Sequence, residues 1–317
     1  MTAPEATTPV CWICLDADPD APGGRYHVTC AEALFGAPDV PRIAFDFLAV
    51  NGWAEDHSGR LSISGFQPKA PAALTADGRA LELVESGSTH IVKPPHVQFQ
   101  HIPQNEHLTM RLARLVGLDV AEHGLIEMSD GTVAYLTRRF DRQGRSGMRL
   151  HVVDFCQLAG LSPEDKESAT TEECAALARQ YGAPGTAAAL FRLFVFAYWV
   201  RNGDLHLKNL MLARRPDGTF GLAPAYDLLN TEPYQVKGMM LPVAGERMNI
   251  PRHTWVEVGA SSFGLDVPEA RAAIDAIIGH LAAAEALVER SFLPNPEWKL
   301  RYRRFLQKRT RQLAGEV

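Results

Sequence analysis

The stretch YWVRNGDLHLKNLML, Tyr198–Leu212, is the one on which the fold turns. It follows AAALFRLFVFA, the most apolar run in the chain. It then places Asn202, Asp204, His206, Lys208 and Asn209 within eight residues before turning apolar again. Loops carry such polar groups when a rigid element holds them over a reaction. Thr186–Arg201 is apolar on nearly every face, which predicts a buried core helix with Phe191, Phe194, Phe196 and Trp199 inside it. Beyond the loop, LMLARRPDGTFGLAPAYD reads as a hairpin turning at Asp217-Gly218 and leading to Asp227.

Asp204, Asn209 and Asp227 fit the needs of phosphoryl transfer from ATP. One carboxylate accepts the hydroxyl proton, while an amide oxygen and a second carboxylate hold Mg2+ against the phosphates. A D-x4-N spacing alone is common and nearly worthless. Its position between an apolar helix and a hairpin ending in Asp gives it weight.

Toward the N-terminus the pattern changes to short strands. LSISGFQPKAPAALTADGRALELVE holds two alternating runs around Asp77-Gly78, and HIVKPP is a third strand carrying Lys93. In NEHLTMRLARLVG, Leu108, Leu112, Leu115 and Val116 share one helical face, with Asn105 as N-cap and Gly117 at the end. A second hairpin turns at Asp130-Gly131. Glu106 is placed to pair with Lys93, as a helix glutamate does in kinases. Taken singly, Lys93 is an edge-strand charge and Glu106 a charge favoured by the helix dipole.

Composition bounds the rest. The chain has 317 residues, with 46% hydrophobic and 22% charged residues and a net charge of −5. That balance gives no overall drive toward nucleic acid or membrane. The leading MTAPEATTPV is not a secretory signal, and the longest apolar run is too short for a bilayer, so a cytoplasmic protein is expected. KLRYRRFLQKRTRQ carries seven basic residues between Lys299 and Arg311, read as a solvated helix face rather than a DNA contact. Five cysteines do not read as a disulfide framework. Cys11, Cys14, His27 and Cys30, in C-x2-C-x12-H-x2-C, fit a Cys3His zinc site. The same residues also suit a reduced, half-buried set of thiols. The expected organisation is a leading segment 1–58, a β-rich lobe 59–141 and a mostly helical lobe 142–317.

SISGFQPK, HIVKP, NEHLTMRLARLVGLDV, RRFDR, NGDLHLKN and APAYDLLNT together resemble the HipA-like serine/threonine kinase toxins, in particular the short HipT-type members. The resemblance implies an α+β, two-lobed atypical protein-kinase fold. It implies Asp204 as proton acceptor, with Asn209 and Asp227 as Mg2+ ligands. Ser64, Gly65, Phe66, Gln67, Pro68, Lys69 and Lys93 would contact the ATP phosphates. Arg138, Arg139 and Phe140 would form the hinge against adenine, and His206, Lys208 and Tyr226 would line the nucleotide site. Ser62 and Ser64 are implied autophosphorylation sites, where added negative charge would repel bound phosphates.

Further expectations concern partners. An antitoxin with a helix-turn-helix domain would bring DNA in only indirectly, and a separate small protein would supply an N-terminal subdomain that full-length relatives carry. The implied protein substrate to test is an aminoacyl-tRNA synthetase. NGD in place of His-Arg-Asp, DLL in place of Asp-Phe-Gly and a single loop glycine all point away from ordinary protein kinases. The competing readings are an antibiotic-type small-molecule kinase and a silent binding module in an antitoxin–DNA complex.

Overall fold

The structure, a computed structural model, describes residues 9–21, 24–37, 39–57, 67–143, 148–236 and 238–316. They fall into two compact units. The first draws on Met1–His107, Glu122–Met148 and Arg290–Phe292, the second on Leu108–Ala121, Arg149–Glu289 and Leu293–Val317.

The first unit is built on a six-stranded sheet. Its strands are β1 (Arg42–Ile43), β2 (Ala70–Leu74), β3 (Ala80–Leu83), β4 (His90–Lys93), β5 (His123–Glu127) and β6 (Val133–Arg138), in the order β1-β3-β2-β4-β6-β5. Only β1 with β3 is parallel; the other neighbours are antiparallel. The turns at Asp77-Gly78 and Asp130-Gly131 stand where the alternation placed them, with Gly78 and Gly131 at φ of 74° and 83°. Lys93 lies directly opposite Tyr135 across the β4–β6 pair.

Three elements of this unit were not anticipated. β1 has two residues, too few for a period. Helices α1 (Val28–Phe35) and α2 (Phe47–Asp56) lie in what reads as a leading segment. Their Ala31, Leu34, Phe35 and Val50 bury themselves in one core with Ala72, Leu81, Val92 and Leu136 of the sheet. α2 starts at Asp46, whose carboxylate accepts from the Ala49 N–H at 2.8 Å.

α3 (Ile102–Leu115) begins four residues before Glu106, the expected first helical residue, so Asn105 is an interior residue and not the cap. Pro103 permits this, because the first-turn N–H groups of a helix have no intrahelical acceptor to lose. Gly117, at φ 76°, ends the helix as expected, and the Leu118 N–H reaches back to Ala113 O at 3.0 Å. Two further short strands, β7 (Arg142–Gln143) and β8 (Met148–Arg149), pair with each other.

The second unit is helical around α6 (Thr186–Val200). α5 (Thr171–Tyr181), α7 (Arg252–Ser261), α8 (Val267–Ile278) and α10 (Pro296–Ala314) pack against it. Phe191 meets Trp255 and Phe263, and the Trp199 indole N–H donates to Thr310 Oγ1 at 2.9 Å. A helix without a polar face is stable only when enclosed in this way.

The C-terminal apolar pattern is two helices, α8 and α9 (Leu281–Arg290), broken at Gly279-His280. The basic run lies on α10. Arg309 departs from the solvated reading: it is buried, with its guanidinium 4.1 Å from the centre of the Tyr198 ring. The remaining elements are α4 (Phe155–Leu158) and a three-stranded sheet, β11-β10-β9, of β9 (Val152–Asp154), β10 (Met211–Arg214) and β11 (Phe220–Leu222). Among the described residues no helix is long and apolar enough to cross a membrane.

Candidate active site

α6 delivers the chain to the polar loop through a sharp change of direction. Arg201 caps it in the left-handed region at φ 55°, and the Asn202 N–H still reaches Ala197 O at 2.7 Å. Gly203 must then be glycine, since a Cβ there would lie 2.7 Å from Gly238 O and 2.9 Å from Thr231 Oγ1. Its N–H donates to Thr231 Oγ1 at 3.0 Å, and that hydroxyl donates to Arg201 O at 3.0 Å. Asn202, fully buried, accepts the Asp204 N–H on Oδ1 at 3.1 Å. The backbone under Asp204 is therefore set by Asn202 and Thr231. Asp204 itself is half-buried and reaches solvent.

Asn209 closes a short 3-10 turn, Leu207–Asn209. Its Nδ2 donates to Asp204 O at 3.1 Å. That bond ties the two ends of the D-x4-N stretch together and spends the amide nitrogen. The amide oxygen remains, the atom a hard cation prefers. β10 and β11 then return the chain, with the Ala223 N–H on Met211 O at 2.9 Å. The Tyr226 hydroxyl donates to Lys208 O at 2.6 Å, so the residues preceding Asn209 and Asp227 are bonded to each other. Asp227 sits at φ 58°. Few non-glycine residues adopt that conformation, and it recurs where function demands a particular side-chain direction. His206 is buried, and Lys208 is half-buried.

In the first unit Lys93 Nζ lies 2.7 Å from Glu106 Oε1, with the side chains only 7% and 2% exposed. The ammonium also stands 5.6 Å from the centre of the Tyr135 ring. The pair anticipated from chain order is thus formed, and it is buried. Replacing such a pair with apolar residues is often neutral or stabilising, so burial by itself gives little reason to keep it. Gln67 Nε2 donates to Pro94 O at 2.7 Å, which fixes the loop end beside β4; Pro68 and Lys69 follow, half-buried. Ser62, Ser64, Gly65 and Phe66 lie outside the described residues.

The three residues assigned to the hinge have protein partners of their own. Arg138 donates to Ala33 O at 2.9 Å. Arg139 forks onto Asp141 at 2.9 and 2.8 Å and reaches Ser88 Oγ at 3.1 Å. Burial pushes the Asp141 carboxyl up, but Arg139 and Arg142 outweigh it and hold it below the usual carboxylate range. Phe140 is half-buried. Cys11, Cys14, His27 and Cys30 are brought together, with all four ligand atoms within 4.8 Å of one another.

Asn202 and Thr231 are the residues that sequence reasoning missed. Both stand inside motifs already singled out, NGD and DLLNT. Nothing in their spacing reveals that they join the loop to a turn 28 residues away.

Residues 61–285 match the HipA-like C-terminal domain. Y4mE of Sinorhizobium fredii, named as an inferred kinase, is 33% identical over 72% of this chain and 57% of its own length. The serine/threonine-protein kinase toxin HipA of Shewanella oneidensis is 29% identical over 67% of this chain and 53% of its own. The chain therefore spans little more than half the length of these curated relatives.

Two solved structures are similar in fold. One is the Shewanella oneidensis complex of HipA, HipB and operator DNA, with a TM-score of 0.67 and 24% identity, covering 81% of this chain and 66% of the other. The second is the Helicobacter pylori proinflammatory kinase CtkA, with a TM-score of 0.55 and 14% identity, covering 77% of this chain and 92% of the other. The architecture is thus the α+β kinase-like fold of HipA and CtkA. With more than two thirds of its residues matched by the family's model, the chain belongs to the HipA-like C-terminal domain family.

Proposed function

We propose that this protein is an ATP- and Mg2+-dependent serine/threonine protein kinase, the toxin of a toxin–antitoxin pair. The observation that carries the reading is the buried Lys93–Glu106 pair. A lysine held by a helix glutamate is poised for nucleotide phosphates, and stability alone gives little reason to bury it. Asn209 and Asp227 add the hard-oxygen donor set that suits Mg2+, which would neutralise charge on the transferred phosphoryl group when bound.

In this reading the Asp204 carboxylate accepts the proton of the attacking serine or threonine hydroxyl. The hydroxyl oxygen then bonds to the γ-phosphorus and ADP leaves. Asn202 and Thr231 hold the backbone beneath Asp204, and the Tyr226–Lys208 bond does the same between Asn209 and Asp227. The printed name of the Shewanella relative supports the toxin role, and the HipA–HipB–DNA complex supports an antitoxin partner that binds operator DNA. An aminoacyl-tRNA synthetase is the first protein substrate to try.

The test is the intact mass of the chain after incubation with ATP and Mg2+, beside Asp204→Ala. The reading expects one or two added phosphates in the wild type alone, mapped to Ser62 or Ser64. An unphosphorylated wild type that gains nothing, on itself or on candidate proteins, overturns it in favour of a small-molecule kinase or a silent binding module.

A further inference from the structure

The N-terminal knuckle carries chemistry that phosphoryl transfer does not use. Cys11, Cys14, His27 and Cys30 converge from the Cys-Trp-Ile-Cys turn and from the start of α1. His27 Nδ1 lies 3.2 Å from Cys14 Sγ and 3.9 Å from Cys30 Sγ. Around a tetrahedral zinc, with Zn–S of about 2.3 Å and Zn–N of about 2.0 Å, the S···N edges are roughly 3.5 Å. The two observed separations bracket that value. We propose that these four residues form a closed, four-coordinate structural zinc site that clamps the N-terminal knuckle onto the first unit.

The surroundings are those of a thiolate–metal centre. Backbone N–H groups point at the sulfurs: Ile13 and His27 at Cys11 Sγ, 3.5 and 3.4 Å, and Asp16 at Cys14 Sγ, 3.4 Å. The far ring nitrogen of His27 meets Ala17 O at 2.9 Å. That bond places the proton on Nε2 and leaves the Nδ1 lone pair facing the sulfurs, the usual outer-shell arrangement for a metal-bound imidazole. None of the three cysteines is in a disulfide. Three soft sulfurs and one imidazole select zinc over the hard cations that suit Asn209 and Asp227.

The clamp has something to hold. Ile13 O, between the first two cysteines, accepts from His107 Nε2 at 2.9 Å, and Trp12 O accepts the Leu125 N–H at 2.9 Å. Gly124 on β5 has no room for a side chain, since a Cβ would lie 2.6 Å from Ile13 Cγ1 and 3.3 Å from Trp12 O. The knuckle therefore sits directly on β5 and on the turn of α3 that carries Glu106, the residue before His107. Metal binding here supports the helix that presents Glu106 to Lys93.

The experiment is elemental analysis of the full chain, purified without chelators, beside Cys14→Ser, Cys30→Ser, His27→Cys and Cys156→Ser. About one zinc per chain is expected in the wild type, in Cys156→Ser and in the conservative His27→Cys, with most of it lost from the other two. Equal metal in Cys14→Ser and Cys30→Ser overturns the site. So does a wild type that stays metal-free after zinc is supplied, or one whose mass shows a disulfide among these cysteines. Should the serine variants fail to fold, exchange of the wild type with Co2+ decides. Thiolate-to-cobalt charge-transfer bands with intense tetrahedral d–d bands support the site, and octahedral aqueous Co2+ alone overturns it. Neither readout uses nucleotide, so failure here and failure of the kinase reading are separate results.

Discussion

The loop after α6 and the cysteine knuckle both hold polar groups in defined positions, by different means. The loop is fixed by the protein's own hydrogen bonds, from Asn202, Thr231 and Tyr226, on a helix enclosed by its neighbours. The Asp204 side chain is half-buried there. The knuckle also has internal bonds, but it gathers three sulfurs and one imidazole whose ligand atoms all lie within 4.8 Å of one another. Preorganised polar groups need only a rigid frame, whereas converging thiolates repel one another unless a cation sits between them. The Lys93–Glu106 pair stands between these cases: it is a buried polar contact whose two halves neutralise each other.

The largest effect is expected from removing a group the frame only presents. Asp204→Ala should lower phosphoryl transfer by about 10²–10⁴-fold while thermal unfolding stays nearly unchanged, because the side chain is half-exposed. A comparable loss of stability with activity retained would mean that Asp204 is part of the frame. Next comes Glu106→Gln, which strands the Lys93 charge in a buried site and should cost about 3–5 kcal/mol in denaturant unfolding. The double variant Lys93→Met/Glu106→Leu should recover most of that stability and none of the activity.

His90 makes a pH-dependent contrast. Burial, with help from the Arg138 charge, lowers it to about 4, against a bond to Leu34 O that works the other way. Between pH 6.5 and 4 the unfolded chain therefore binds a proton that the folded chain refuses. Stability is full above about pH 6.5 and falls toward pH 4, by roughly 3 kcal/mol. His90→Gln should flatten that limb of the pH–stability curve; an unchanged slope assigns the acid sensitivity elsewhere. The smallest effect is Thr231→Val. It leaves the buried Gly203 N–H without its acceptor and should cost about 1–3 kcal/mol, with a further drop in turnover as the backbone beneath Asp204 loosens.

Much of this molecule could be read from residue order. The apolar run into Asp204, the turns at Asp77-Gly78 and Asp130-Gly131, and the pairing of Lys93 with Glu106 are patterns of short range. Each is set by backbone preference or by the reach of one loop, so spacing reports it. The C-x2-C-x12-H-x2-C spacing likewise lets Cys11, Cys14, His27 and Cys30 converge, as they do in the fold. What could not be read was which distant pieces complete them. α1 and α2 lack strong amphipathic stripes because short helices wrapped on a sheet bury only a few residues each.

Asn202 and Thr231 look like ordinary loop residues until a turn from far along the chain closes on Gly203. His107 looks like one more residue on α3 until its ring meets Ile13 O, 94 positions earlier. Chemistry-bearing side chains and local turns are written in neighbouring residues, because bond geometry and water act over a few positions at a time. The partners that fix them come from anywhere in the chain, and only packing the whole hydrophobic core brings them within reach.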